Sequence, residues 1–388
     1  MIIIIDPKRI NYLLNKLTVI SKSRFVQLIA DAEKQTICFR GANESVQIIT
    51  CSIECEVDKS GACGFDYFVL KDLISSLRSA TSIILKCSES NIQIENIKTK
   101  GKYNVESIPA DGIIVELKQQ HNLPKVSLSI DSGDLNKSLA CVLKAAPKND
   151  ARWYLNGINF EYNSELEEDG NIGPILTLVA TDGHRLNVRK IKVIQGFGID
   201  SNFVIPNNPN NPFIDYLMRV TSLYTGEITI KFSDVFAEIV TPEGDSIRTK
   251  LLEHNYINWK QFLNSDVSQY SPITFDRGDF QSILNRFKTI TLKFDLTCIV
   301  KVDLNKDGVM NLLVHSTNNV ISASEFITVD NPAELEFSVA FNSQYMLDLL
   351  TVETLESATV WFDKTDPTKK VIRYTGTGTT GIIVPVRQ

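Results

Sequence analysis

Apolar residues recur along the chain in two rhythms, and the switches between them mark the elements. After Asp6-Pro7, a capping carboxylate followed by a proline preset for the first helical turn, Ile10, Leu13, Leu14, Leu17 and Ile20 return at helical spacing. A second helix follows Phe68 and carries Leu70, Leu73, Ile74 and Leu77 on one face. Between the two, QTICFRG (35–41) and SVQIITCSIECEV (45–57) are rich in β-branched residues and bounded by turn formers, which predicts strands. The opening MIIIIDP has no basic stretch before its isoleucines and no small-residue cleavage site, so it predicts a first strand rather than a secretory signal.

The plan returns twice. Asp131 or Ser132 opens a helix with Leu135, Leu139, Val142 and Ala146, and NNPNNP (207–212) leads into one with Phe213, Leu217 and Val220. Asp276 opens a fifth with Phe280, Ile283, Leu284 and Phe287, and Asn342 a sixth with Met346, Leu349 and Leu350. Two helices per unit, each flanked by strands, give three units with a period of roughly 130 residues, carried by hydrophobic pattern and not by identity. The polar, proline-tipped stretches QQHNLPK (119–125) and NSDVSQYSP (264–272) mark the joints, so the expected domains are 1–122, 123–266 and 267–388. A length of 388 residues agrees, at about 150 per domain. Strands dominate, which makes the class α+β with antiparallel sheets.

A hydrophobic content of 43% with 22% charged residues is a globular balance and excludes a disordered chain. No apolar run reaches the ~18–20 residues that cross a bilayer. Seven cysteines without C-x-x-C spacing, and four histidines not placed to complete a zinc set, predict reduced thiols, a cytoplasmic protein and no metal. The net charge of −6 means that a polyanion has to meet a local basic surface.

Helix faces opposite the apolar stripes offer one. At about 100° per residue, Lys8, Asn15, Lys16 and Lys22 oppose the first stripe, and Lys71, Ser75 and Arg78 the second. Lys137, Lys144 and Lys148 oppose the third, Arg219 the fourth and Arg286 the fifth; the sixth helix has Asp348 and no base. A solvated face accounts for any one helix alone. Five of six sharing a sign in a net-acidic chain predict a basic lining suited to duplex phosphates.

Three motifs invite chemistry. GTGTTG (376–381) spells G-x-G-x-x-G, but a strand-like IIVPVRQ follows it where a dinucleotide site needs a helix; it predicts a hairpin turn and no cofactor. DLNKDG (303–308) begins like a calcium loop, yet the twelfth position is Val314 instead of glutamate, which leaves a turn. In ATDGHRL (180–186), Asp182 and His184 would serve a hydrolase only beside a nucleophile, and none stands near. A turn followed by an exposed His-Arg pair is the reading of these residues alone.

RWYLNGINFE (152–161), LVATDGHRLNV (178–188), FNSQYMLDLL (341–350) and IIVPVRQ (382–388) together resemble the β sliding clamp of bacterial DNA polymerase III, in order and spacing over the whole chain. KYNVESIPA (102–110) is the clearest landmark of the first domain. The resemblance implies a DNA clamp fold of three similar domains, each antiparallel sheet with two helices, and a head-to-tail homodimer whose six domains close a ring around double-stranded DNA without sequence specificity. It implies a processivity factor and no enzyme, which tethers the polymerase III alpha subunit, the clamp loader and repair proteins. A ring held by topology needs only weak, exchanging phosphate contacts.

The resemblance also implies a partner-peptide pocket between the second and third domains. Its lining is Leu155, Thr181, Gly183, His184, Arg185, Leu186, Tyr345, Val384, Pro385, Val386 and Arg387. Lys148 and Asn149 match a DNA-contacting loop, and Lys22 and Arg24 fall near the corresponding loop of the first domain, within a segment shortened here (24–33). Tyr103 and Val105 match one side of the dimer seam, Ile290 and Leu292 the other.

Some positions depart from the family. Ile257 and Gln261 stand where proline and arginine are usual, and SELEEDGNIGP (164–174) reads as a lengthened hairpin. Val384 and Val386 stand where many relatives have methionine, which implies a narrower partner range because valine is stiffer and smaller. The alternative is a divergent accessory clamp or clamp-like scaffold with restricted partners.

Overall fold

The computed structural model describes residues 1–17, 25–42, 46–88, 90–108, 124–166, 172–209, 211–263, 267–317, 320–352 and 354–387, with the side chains of 164–166, 172 and 267 left aside. Two compact units result: residues 1–133, 193–199 and 205–253 form the first, and 134–192, 200–204 and 254–388 the second. Every strand ladder among the described residues is antiparallel, and six helices complete an α+β fold.

The first unit holds two sheets. One has five strands in the order Lys102–Glu106, Asn91–Asn96, Ile83–Cys87, Ile2–Ile5 and Glu56–Lys59, so the opening isoleucines form a central strand. The other runs Gln195–Gly198, Val126–Asp131, Glu227–Phe232, Phe236–Val240, Ser246–Lys250, Val46–Ile49, Thr36–Ala42, Phe25–Asp31 and Gly61–Asp66. At its middle Ile247 faces Ile48, which joins distant stretches of chain into one sheet.

Helices α1 (Pro7–Lys16), α2 (Tyr67–Ser76) and α4 (Phe213–Leu223) belong to this unit. Of the stripes read from sequence, Ile10, Leu13, Leu14 and Leu17, Leu70, Ile74 and Leu77, and Phe213, Leu217 and Val220 are buried, Leu73 is half-buried, and Ile20 lies outside the described residues. Asp6 caps α1 by accepting from the Lys8 amide, with Pro7 in the first turn. Helix α2 begins at Tyr67, earlier than the sequence implied, because Asp66 accepts from the Phe68 and Val69 amides. Of the stretch 45–57, the described part from Val46 onward breaks into three short strands, and between the first two the Cys51 amide leaves the ladder to bond the Asp245 carboxylate at 2.7 Å.

The second unit repeats the logic. Its larger sheet runs Ser201–Pro206, Gly157–Leu166, Ile172–Thr181, Arg185–Lys192, Thr379–Ile383, Ile372–Gly376, Ser357–Asp363 and Tyr270–Asp276. The smaller sheet runs Ser322–Thr328, Val309–His315, Ile299–Leu304 and Phe337–Asn342. Helices α3 (Ser132–Leu143), α5 (Arg277–Thr291) and α6 (Ser343–Leu350) cover them, with α3 entering the unit at Asp134.

Phe280, Leu284, Phe287, Val300, Leu312, Met346 and Leu350 share one core. Asp276 caps α5 and Asn342 caps α6, as the spacing predicts. GTGTTG is the hairpin between Ile372–Gly376 and Thr379–Ile383, and DLNKDG the turn before Val309–His315, where Asn305 accepts from the Val309 amide.

Candidate functional site

The ATDGHRL turn joins two long strands of the second unit, and a small set of residues fixes it. Asp182 Oδ1 accepts from the His184 and Arg185 amides, and Thr181 Oγ1 accepts from Gly183 while donating to the Arg185 carbonyl. Gly183 has φ +82°, a left-handed conformation that favours glycine, and a Cβ there would displace the Arg152 guanidinium that lies against it. That guanidinium donates to the Asp182 carbonyl and pairs with Asp150, which it holds at a pKa of about 2. RWYLNG is thereby latched to the turn.

Arg185 corrects the sequence reading. The sequence alone has it exposed, yet its side chain is only 12% accessible. Its guanidinium bonds Asp182 at 3.0 Å, Asp348 at 2.5 Å and the Lys144 carbonyl, and lies 4.4 Å over the Tyr345 ring. Asp348, noted in sequence only as an acid on an otherwise basic set of helices, is the partner that needs a buried cation. Burial, reinforced by Asp182, raises the pKa of the Tyr345 hydroxyl and keeps it a donor.

The tail completes the surface. Val384 donates its amide to the His184 carbonyl at 2.9 Å, and Val386 donates to Ala340 at 2.7 Å. This stretches the tail across the turn with Val384 42% and Val386 37% exposed. His184 and Arg387 are exposed, Pro385 and Tyr345 half-buried, and Leu155, Thr181 and Leu186 buried. A cavity of about 540 Å³ opens beside the tail, lined by Ser338, Ala340, Thr368, Lys369, Val386 and Arg387. The arrangement is an apolar strip with backbone already paired and a few polar groups at its edge, which suits side-chain recognition.

The comparisons with known proteins meet this geometry. Residues 129–258 match the family model of the DNA polymerase III beta subunit, central domain. No curated protein matches the chain. Among solved structures, the DNA polymerase III subunit beta from Pseudomonas aeruginosa has a TM-score of 0.85 at 18% identity, covering 100% of both chains. The beta sliding clamp of C. crescentus, solved with PEG bound to a putative beta-motif tethering region, has 0.83 at 18% identity, covering 100% of this chain and 99% of its own. The Helicobacter pylori beta clamp bound to DNA ligase peptide has 0.80 at 17%, covering 100% of both. Residues 129–258 are thus similar to that central domain, and the whole chain carries the fold of these clamps.

Of the bases expected to line a clamp, Lys8, Arg78, Lys137, Lys144, Lys148 and Arg219 are exposed, as is Asn149, and Lys71 is half-buried over the Tyr67 ring. Arg286 is exposed but forks onto Glu325. Lys16 departs from the helix-face expectation. Its ammonium is held by Glu243 at 2.6 Å and Asp245 at 2.7 Å with Cys51 Sγ at 3.3 Å, because two carboxylates brought in from 243–245 needed a counter-ion. Cys51, Glu243 and Asp245 have metal-ligand spacing, and the lysine takes the cation's place. Lys22 and Arg24 lie outside the described residues.

At the expected seam, Tyr103 is exposed on Lys102–Glu106, an edge strand of the first unit, while Val105 turns into its own core. Ile290 is half-buried and Leu292 exposed. Sequence reasoning missed their companions. Phe294 is exposed, Leu296 is 100% exposed, and Phe326 stands out from the edge strand Ser322–Thr328. A run of exposed apolar side chains is the signal that finds them.

Proposed function

We propose that the protein is a DNA polymerase processivity factor: a sliding clamp that closes as a head-to-tail homodimer around duplex DNA and tethers replication proteins through the surface at His184, Tyr345, Val384 and Val386. The observation that carries the reading is the clamp fold over the full chain, joined to the family's own central domain at 129–258. Domains at 1–122, 123–266 and 267–388 follow from the repeat. The free edges of Lys102–Glu106 and Ser322–Thr328 suit strand pairing between two copies, the second with Phe326, Leu292 and Leu296 around it.

The exposed lysines and arginines meet phosphates weakly, which permits sliding, and topology keeps the ring on its track. Partners are double-stranded DNA, a polymerase III alpha subunit, a clamp loader and other proteins with short tails whose aliphatic or aromatic side chains seat on the valines. No catalytic role is assigned to any residue, and seven free thiols suit a reducing cytoplasm. Among the described residues no helix is long and apolar enough to cross a membrane.

The test is retention on DNA. Loaded onto a circle, the protein should stay bound and then be lost when the circle is cut. Retention unchanged by linearisation would defeat topological holding. Sedimentation gives the second check, since 43.5 kDa per chain requires about 87 kDa for two.

A further inference from the structure

A cavity of about 320 Å³ lies in the first unit, lined by Tyr12 and Lys16 from α1 and by Tyr216, Arg219, Val220 and Leu223 from α4. Tyr216 is only 3% exposed, and among the described residues its hydroxyl has no hydrogen-bond partner. A buried tyrosine hydroxyl ordinarily finds one. Burial, reinforced by Asp245, raises the pKa of this hydroxyl, so it stays a donor. An unfilled donor at the wall of a cavity points to an acceptor supplied from outside.

The ions at the floor are already matched. Lys16 is held by Glu243 and Asp245, while Tyr12 donates to Glu243 and Tyr224 to Asp245. The rim is different. Lys8 and Arg219 are exposed, and neither has an ion-pair partner among the described residues. Lys8 stands four positions before Tyr12, one turn along α1. Tyr12 is 45% and Leu223 68% exposed, so a phenol ring and an aliphatic side chain accompany the two cations at the mouth.

A volume of 320 Å³ is near the lower end of ligand pockets, roughly 300–1,000 Å³, and suits one ring system better than a folded peptide segment. A nucleotide supplies each complement. Its planar base fits the apolar walls, a base carbonyl accepts from Tyr216, and its phosphates meet Lys8 and Arg219.

We propose that this cavity takes a single unpaired nucleotide of a DNA strand, with the base inside and the flanking phosphates on Lys8 and Arg219. The proposal goes beyond the tracking of a duplex, whose bases are stacked out of reach, and it needs no closed ring.

Fluorescence anisotropy on the full chain tests it, using a labelled oligothymidylate, the same strand made abasic, and a duplex of equal length. At low salt the bases should tighten binding about tenfold over the abasic strand. Tyr216→Phe removes the hydroxyl alone and should weaken oligothymidylate binding about three- to tenfold, with duplex binding unchanged. Leu223→Ser, at an exposed position where folding tolerates the change, should cost a similar factor.

An abasic strand that binds as tightly as oligothymidylate would overturn the pocket, as would full affinity in both variants or an equal loss on the duplex. So would displacement of the strand by thymidine monophosphate at the same nucleotide concentration, which would make this a site for free nucleotides. Failure to stay on a closed DNA circle would count against the clamp reading alone, because the oligonucleotide measurement requires no ring.

Discussion

Lys16 Nζ lies 2.7 Å from Asp245 Oδ2, an ion pair between residues 229 positions apart in the chain. The carboxylate is buried and fully engaged, accepting also from the Cys51 amide, the Thr241 hydroxyl and the Tyr224 hydroxyl. Removing the cation leaves that charge unpaired in the interior. Lys16→Met is expected to destabilise the chain by about 3–5 kcal/mol in urea unfolding, and a double variant with Asp245→Leu to recover much of the loss. A single variant as stable as wild type would show that solvent reaches Asp245.

The same cluster sets a pH dependence. Burial opposes charge on Lys16, but Asp245 and Glu243 outweigh it and raise the ammonium's pKa, so its contribution is complete at neutral pH and fades only as alkali titrates the folded form. Burial likewise opposes the Glu243 carboxylate, but Lys16, Tyr12 and Tyr224 outweigh it and lower its pKa. That contribution is present above the unfolded value of about 4.3 and is lost as acid protonates the folded group. Stability measured from pH 6 down to pH 3 should therefore fall in wild type, and Glu243→Gln should flatten part of that fall.

Arg185 ties the DGHR turn to the backbone just past α3 and to α6 with a planar fork, two carboxylates and a ring stack. A lysine has one point of charge and no plane to lay on Tyr345. Arg185→Lys should thus weaken the surface almost as much as Arg185→Ala. The expected result is a lower unfolding midpoint and loss of peptide binding, with an α+β circular dichroism spectrum retained. Wild-type affinity in the lysine variant would mean that charge alone suffices.

Three helices were legible because each announces itself twice, by a capping side chain and by a stripe of apolar residues: Asp6-Pro7, Asp276 and Asn342 all cap as their positions predict, whereas α4 has its stripe alone. Side-chain fate was legible only where one helix decides it. Lys137 and Lys144 stay on an exposed face, but Lys16 was claimed by carboxylates that periodicity places nowhere near it. The buried state of Arg185 was hidden for the same reason, since Asp348 lies 163 positions away. Long-range charge pairing leaves no period in a sequence, whereas exposed Leu296 and Phe326 could have been marked as apolar residues out of rhythm.

The basic helix faces should act on sliding and affinity rather than on retention. The third helix stops at Leu143, so of the three lysines read onto its face only Lys137 lies on it, with Lys144 just past its end and Lys148 in the turn beyond. All three are exposed, and Lys137 and Lys144 have no carboxylate partner among the described residues, so their charge is available to phosphates. Each lysine withdrawn from a phosphate should reduce the slope of log affinity against log salt by about 0.9. Changing Lys137, Lys144 and Lys148 to Glu should therefore weaken duplex binding by about tenfold or more at low salt, with the difference vanishing as screening shortens the reach of the charges. Once loaded on a closed circle, however, the triple variant should remain for as long as wild type if the protein is the ring proposed above, because ring opening and not phosphate affinity would then limit escape. A circle-bound lifetime that shortens in step with duplex affinity would show that the protein is held by attraction.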